Sequence, residues 1–205
     1  MSVALLRSAF DETIALHQQV RDAAATPVLA AADAIVGALK RGGKLLIFGN
    51  GGSAADAQHV AAELVGRFQR ERVALAAVAL TTDTSVLTSI GNDYAFDRVF
   101  ARQVEALGRA GDVALGISTS GASPNVVVAL EAARQIGMQT IALTGSDGGA
   151  VGQAAAIHIN VPSPATARVQ EVQRTLLHVV CELVELSFAH TEDTKGTEGH
   201  RGKKR

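Results

Sequence analysis

The chain is poor in the residues that staple and stiffen small proteins. Its 205 residues include one cysteine, four prolines, one tyrosine and no tryptophan. A lone Cys181 forms no intramolecular disulfide, and a single free thiol fits a reducing, cytoplasmic compartment. With aromatics at only 3%, the core must come from Ala, Val, Leu and Ile, which suits helices packed closely on a sheet. An excess of one charge is also missing. Nineteen Lys and Arg stand against twenty Asp and Glu, a net charge of −1. Proteins that hold long nucleic acid through its phosphates are usually basic, so no nucleic-acid partner is expected. Long apolar runs are absent too. The stretch 73–80, VALAAVAL, falls far short of the ~20 residues that cross a bilayer. The opening MSVALLRSAFDET has no apolar core of the kind a signal peptide carries. Neither a membrane span nor a leader is expected.

What remains is patterned. The length favours one domain, large enough to bury a core without staples. Leu5, Leu6, Phe10, Ile14, Leu16 and Val20 recur at helical spacing. Pro27 is expected to interrupt, and an Ala-rich helix over 28–39 stops at Arg41-Gly-Gly43. The period then changes. Short apolar runs at 44–48, 76–80, 113–117, 140–143 and 157–161 read as five strands. Their near-continuous apolar character fits burial on both faces, as in a parallel sheet. Helical patterns at 53–68, 96–107, 124–136, near Ala150, and at 168–188 separate or follow them. Alternating strand and helix predicts an α/β sandwich with right-handed crossovers. The polar, aperiodic residues 191–205 read as a disordered tail rather than an anion-binding arm.

In an open parallel sheet, ligands bind beyond the carboxyl ends of the strands. The third such loop, STSGASPN, is the most informative. Ser118, Thr119, Ser120 and Ser123 put four hydroxyls within six positions, Gly121 permits a tight turn, and Pro124 suits the first helical position. Hydroxyls and free N–H groups at a helix start cradle a phosphate without any Lys or Arg. A helix cap alone needs only one of them. The first loop, GNGGSAAD, lacks both the Lys of a Walker loop and the G-x-G-x-x-G register, which argues against a nucleotide. Ser53 is expected as its N-cap, with Asp56 completing a near capping box.

His59 and Glu63 follow one turn apart on the same helix face. Their neighbours Val60, Ala61, Ala62 and Leu64 are apolar, unlike a plainly solvated pair. Imidazole and carboxylate are usual zinc ligands, but two do not make a site. Gln170 and His178 on the last helix are candidate partners. Eight helical residues separate them by about 12 Å and about 80°. Either Gln170 lies at a loosened helix start, or different subunits supply the two, which implies an oligomer with composite sites. His158 reads as structural. His17, His190 and His200 have no patterned partners.

Taken in order, GNGGSAADAQH with AAEL, TTDTS with IGNDY, GDVALGISTSGASPNV, ALTGSDGG, and RVQE with LLHVVCELVE resemble the bacterial phosphoheptose isomerases of the sugar-isomerase (SIS) domain family. The likeness covers about 42–185. It implies a three-layer αβα sandwich with a five-stranded parallel, flavodoxin-like sheet. That SIS domain would span 1–190, with N-terminal helices over about 1–41. It implies a cytoplasmic homotetramer with active sites between subunits. The implied reaction is conversion of sedoheptulose 7-phosphate to D-glycero-D-manno-heptose 7-phosphate, toward the activated heptose of glycans such as lipopolysaccharide. The implied zinc ligands are His59, Glu63, Gln170 and His178. The implied substrate contacts are Asn50, Gly51, Gly52, Ser53, Arg67, Asp93, Ser118, Thr119, Ser120, Ser123 and Gln170. Glu63, His178 and Asp93 would move protons, with Glu63 and Asp93 as rival bases. Gln173 stands where the family usually has His. A non-enzymatic branch that binds the replication initiator lacks the Glu and the last His. Both are present here, which favours an enzyme.

Overall fold

The computed structural model describes residues 2–189. The expected tail, 191–205, and His190 and His200 lie outside them. Two helices, α1 (Val3–Ala23) and α2 (Ala25–Lys40), precede β1 (Leu45–Gly49) and α3 (Gly52–Val65). Next come β2 (Ala77–Ala79), α4 (Thr84–Asp93), a 3-10 turn at Phe96–Arg98 and α5 (Ala101–Leu107). The rest alternates: β3 (Val113–Ser118), α6 (Pro124–Ile136), β4 (Gln139–Gly145), α7 (Gly149–Gln153), β5 (Ile157–Val161) and α8 (Thr166–Leu186). All five strands are parallel, in the order β2-β1-β3-β4-β5. This is the flavodoxin-like order, whose switch point falls between β1 and β3.

Strand side chains alternate between two cores, as the pleat requires. Leu45, Ile47, Val113, Leu115, Ile117, Ile141 and Leu143 face α2, α3 and α8. Leu46, Phe48, Ala114 and Ala142 face α5 and α6. On the second face β3 and β4 contribute the small residues Ala114, Gly116 and Ala142, and a side chain at Gly116 would run into Val126 at 2.7 Å. Helix α6 therefore lies close on the sheet. Among the described residues no single helix is long and apolar enough to cross a membrane.

Two local expectations are corrected. Pro27 does not interrupt a helix. The chain bends by 68° between α1 and α2, and Pro27 sits in the first turn of α2, where a missing N–H costs nothing. Helix α4 occupies a stretch where the sequence pattern predicts no helix. Asp83 caps it, accepting the Val86 N–H at 3.0 Å, but none of its residues is fully buried, so its apolar signal is weak. Gln173, where the family usually has His, is turned inward. It lies between Val169 and Leu177 on the sheet side of α8, wholly buried, with neither amide atom hydrogen-bonded.

Candidate active site

The loops after β1 and β3 meet at the switch point. Asn50 and Asn125 join them through two reciprocal amide hydrogen bonds, each 2.8 Å. Gly51 turns the chain at φ +55°, and α3 starts at Gly52, one residue earlier than expected. Ser53 is therefore inside the first turn and 4% exposed, not the N-cap. No side chain caps this helix. Gly52 is needed because the Gln170 amide packs directly on it, where a side chain would collide. Asp56 completes no capping box. It is 1% exposed and accepts from Gln170 Nε2 at 3.1 Å and from the Arg174 guanidinium at 2.6 and 3.1 Å.

Beside this turn lie the serines. Ser118 Oγ is 2.8 Å from Ser123 Oγ and 3.4 Å from Ser120 Oγ. Ser120 also accepts the Ala122 N–H at 3.2 Å. Ser123 holds the N-cap position of α6, yet its hydroxyl makes no cap bond and is shared with Ser118 instead. The turn is supported from behind. Gly121, at φ +70°, accepts the Val151 N–H at 2.9 Å, and any side chain there would meet the Gly148 carbonyl at 2.5 Å. Thr119 is half-buried in the same turn.

Helices α3 and α8 run parallel, so Gly52 lies opposite Gln170, Asp56 opposite Arg174 and His59 opposite His178. His59 Nε2 stands 2.8 Å from His178 Nε2 and 3.4 Å from Glu63 Oε1. The Phe68 ring stacks on His178 at 5.6 Å and 28°. Gln170 stays two turns away, inside α8 rather than at a loosened start. One chain thus brings together three of the four expected ligands and keeps Gln170 with the glycine turn.

Among the described residues no His, Cys, Asp and Glu group is already spaced for a metal. The donor set nevertheless fits zinc. Two imidazoles and one carboxylate leave a fourth position open, as in catalytic zinc sites, and tetrahedral ligand atoms there stand about 3.3 Å apart. The 3.4 Å Nε2–Oε1 spacing matches that, and the 2.8 Å Nε2–Nε2 spacing is half an ångström short.

Two expected residues have other partners in this chain. Arg67 is exposed and pairs with Glu71 at 3.8 Å. Asp93 ends α4, exposed, accepting from Asn92 at 2.8 Å. The apolar residues of α4, Leu87 and Ile90, join the core on the other face of the sheet from α3 and α8. Cys181 is a free, buried thiol. Burial first, and the nearby Glu63 and Glu185 charges second, push its thiol up to about 12, which keeps it protonated and inert.

Sequence reasoning missed Asp56, Asn125, Arg174 and Phe68. Asp56 carried a faint signal, since it lies three residues before His59 and so on the same helix face.

A doubly wound parallel sheet with hydroxyl and glycine turns at its switch point is an α/β fold that binds ligands beyond the carboxyl ends of its strands. The SIS domain model matches residues 10–145. A phosphoheptose isomerase from Roseiflexus sp. (strain RS-1) is 55% identical over 175 residues, 85% of this chain and 89% of that protein. One from Citrifermentans bemidjiense is 62% identical over 151 residues, 74% of this chain and 79% of that protein. The solved phosphoheptose isomerase GmhA of Neisseria gonorrhoeae superposes with a TM-score of 0.85 at 49% identity, over 89% of this chain and 98% of that one. The chain belongs to the SIS domain family and, within it, to the phosphoheptose isomerases, which makes it an isomerase.

Proposed function

We propose that the chain is a cytoplasmic isomerase that converts sedoheptulose 7-phosphate to D-glycero-D-manno-heptose 7-phosphate, the entry step to nucleotide-activated heptose. The phosphate end rests on the hydroxyls of Ser118, Ser120 and Ser123, with Thr119 beside them. Asn50, Gly51, Gly52, Ser53 and Gln170 line the sugar. His59 stands seven residues along α3 from Gly52, about 10 Å at the helical rise. The serine turn and the cluster therefore serve opposite ends of one extended sugar phosphate. The single observation that carries the reading is the meeting of His59, Glu63 and His178 across 119 residues of chain.

Aldose–ketose isomerisation moves a proton between adjacent carbons through an enediol, and needs a base at carbon and an acid at oxygen. We assign the carbon proton to Glu63 and the oxygen proton to His178. Asp93 is the rival base, although in its own chain it stands across the sheet from Glu63. His59, Glu63 and His178 are the zinc ligands of this reading, with Gln170 reaching the site of a neighbouring copy. When bound there, zinc supplies Lewis-acid polarisation of the carbonyl oxygen.

Turnover and zinc content of Glu63→Gln and Asp93→Asn test the assignment. Glu63→Gln is expected to lose at least about 100-fold in kcat, the usual worth of a positioned base. Near-full activity of Glu63→Gln together with loss in Asp93→Asn would transfer the role to Asp93.

A further inference from the structure

Between the two helices of the cluster lies a buried ion pair that the proposed chemistry does not touch. The Arg72 and Glu185 side chains are 0% and 1% exposed, with Nε and Oε1 3.7 Å apart. Their hydrogen bonds go to backbone groups and not to each other. Arg72 donates to the carbonyls of Glu63 at 2.7 Å, and of Gly66 and Val73 at 2.9 Å. Glu185 accepts the backbone N–H groups of Phe68, Gln69 and Arg70, each at 2.9 Å. The stretch between α3 and β2 has no regular structure of its own, and these six bonds shape it.

A buried ion pair is a weak source of net stability, since apolar residues of similar volume often do as well. What this one fixes is specific. Arg72 holds the carbonyl of Glu63, the carboxylate of the cluster. Glu185 holds the amide of Phe68, whose ring stacks on His178. Glu185 also stands seven residues beyond His178, near the end of α8, so the pair links the C-terminal ends of the two ligand-bearing helices. We propose that Arg72 and Glu185 are positioning residues that hold His59, Glu63 and His178 together for a divalent metal, acting through the Glu63 backbone and the Phe68 ring. The inference rests on the zinc reading above. Groups that orient metal ligands in this way are worth about 10–100-fold in metal affinity.

The test is titration of the metal-free full chain with Co²⁺, followed by its visible spectrum, with thermal melting recorded in parallel. Glu185→Gln removes the charge and one acceptor at nearly constant shape. Phe68→Leu removes the stacking ring and leaves the ion pair intact. Asp112→Asn is the control. It weakens another buried network, in which Asp112 accepts from the backbone of Lys44 and Arg109 at 2.9 Å each, at the opposite ends of the strands. Glu185→Gln and Phe68→Leu are expected to bind Co²⁺ at least about tenfold more weakly, with altered spectra. Asp112→Asn is expected to bind as the unaltered chain does, whatever its melting temperature. Undiminished affinity in Glu185→Gln overturns the inference alone, as does equal weakening in Asp112→Asn. If Glu185→Gln does not fold, Phe68→Leu decides by the same criterion. No Co²⁺ binding by the unaltered chain overturns the zinc reading, and this inference with it.

Discussion

Ser123 does at residue scale what the whole site does at larger scale. It occupies a helix N-cap without spending its hydroxyl on the cap, and shares that hydroxyl with Ser118 instead. A hydrogen bond to a charged group contributes about 1.5–3 kcal/mol, so Ser118→Ala or Ser123→Ala should raise KM for the sugar phosphate at least about tenfold. The remote phosphate supplies binding more than chemistry, so kcat should fall less. An unchanged KM would reject the cradle. These hydroxyls were legible because four of them crowd six positions, and His59 and Glu63 because one turn separates them. Asp56, Arg174, Arg72 and Glu185 were not. Asp56 and Arg174 find each other, and Glu185 finds Phe68, across more than 100 residues, while Arg72 bonds carbonyls close by in sequence and meets Glu185 only because α3 packs beside α8.

At the scale of elements, the strands were legible because burial on both faces leaves them almost wholly apolar. Helix α4 was not, because Val86, Leu87 and Ile90 are only half-buried and its ends look like ligand motifs. The start of α3 was displaced by one residue because a positive-φ glycine, not a serine, makes the turn. The link between α3 and β2 carries its own pH dependence. Burial works to raise the Glu185 carboxyl, but three backbone N–H donors and Arg72 together hold it below its ordinary value. A lowered folded-state pKa stabilises above the unfolded value, about 4.5 for Glu, and that stabilisation is lost as pH falls through the folded value. Acid unfolding followed by circular dichroism should therefore show stability declining below about pH 4.5. In Glu185→Gln the same scan should be flatter and start from a lower plateau, because breaking one partner of a buried pair costs about 3–5 kcal/mol. Parallel curves for the two chains would contradict this.

For the whole molecule, the open question is what completes the site. Val3, Leu6, Phe10 and Ile14 of α1 are each more than half exposed. An apolar groove of about 570 Å³ lies between α1, α2 and α8, lined by Val28, Leu29, Val179 and Leu183 among others. Such surfaces are ordinarily covered, and the homotetramer implied by the sequence resemblance would cover them. If Gln170 of one copy serves the cluster of another, mixing and reassembling Gln170→Ala with His178→Ala chains should restore activity that neither has alone. No recovery would argue for sites built within one chain. The most direct measurement is incubation of the zinc-loaded chain with sedoheptulose 7-phosphate, with product identified by mass and nuclear magnetic resonance. The account predicts D-glycero-D-manno-heptose 7-phosphate, lost on chelation and restored by zinc. Unchanged sedoheptulose 7-phosphate after prolonged incubation with metal-replete protein would contradict it.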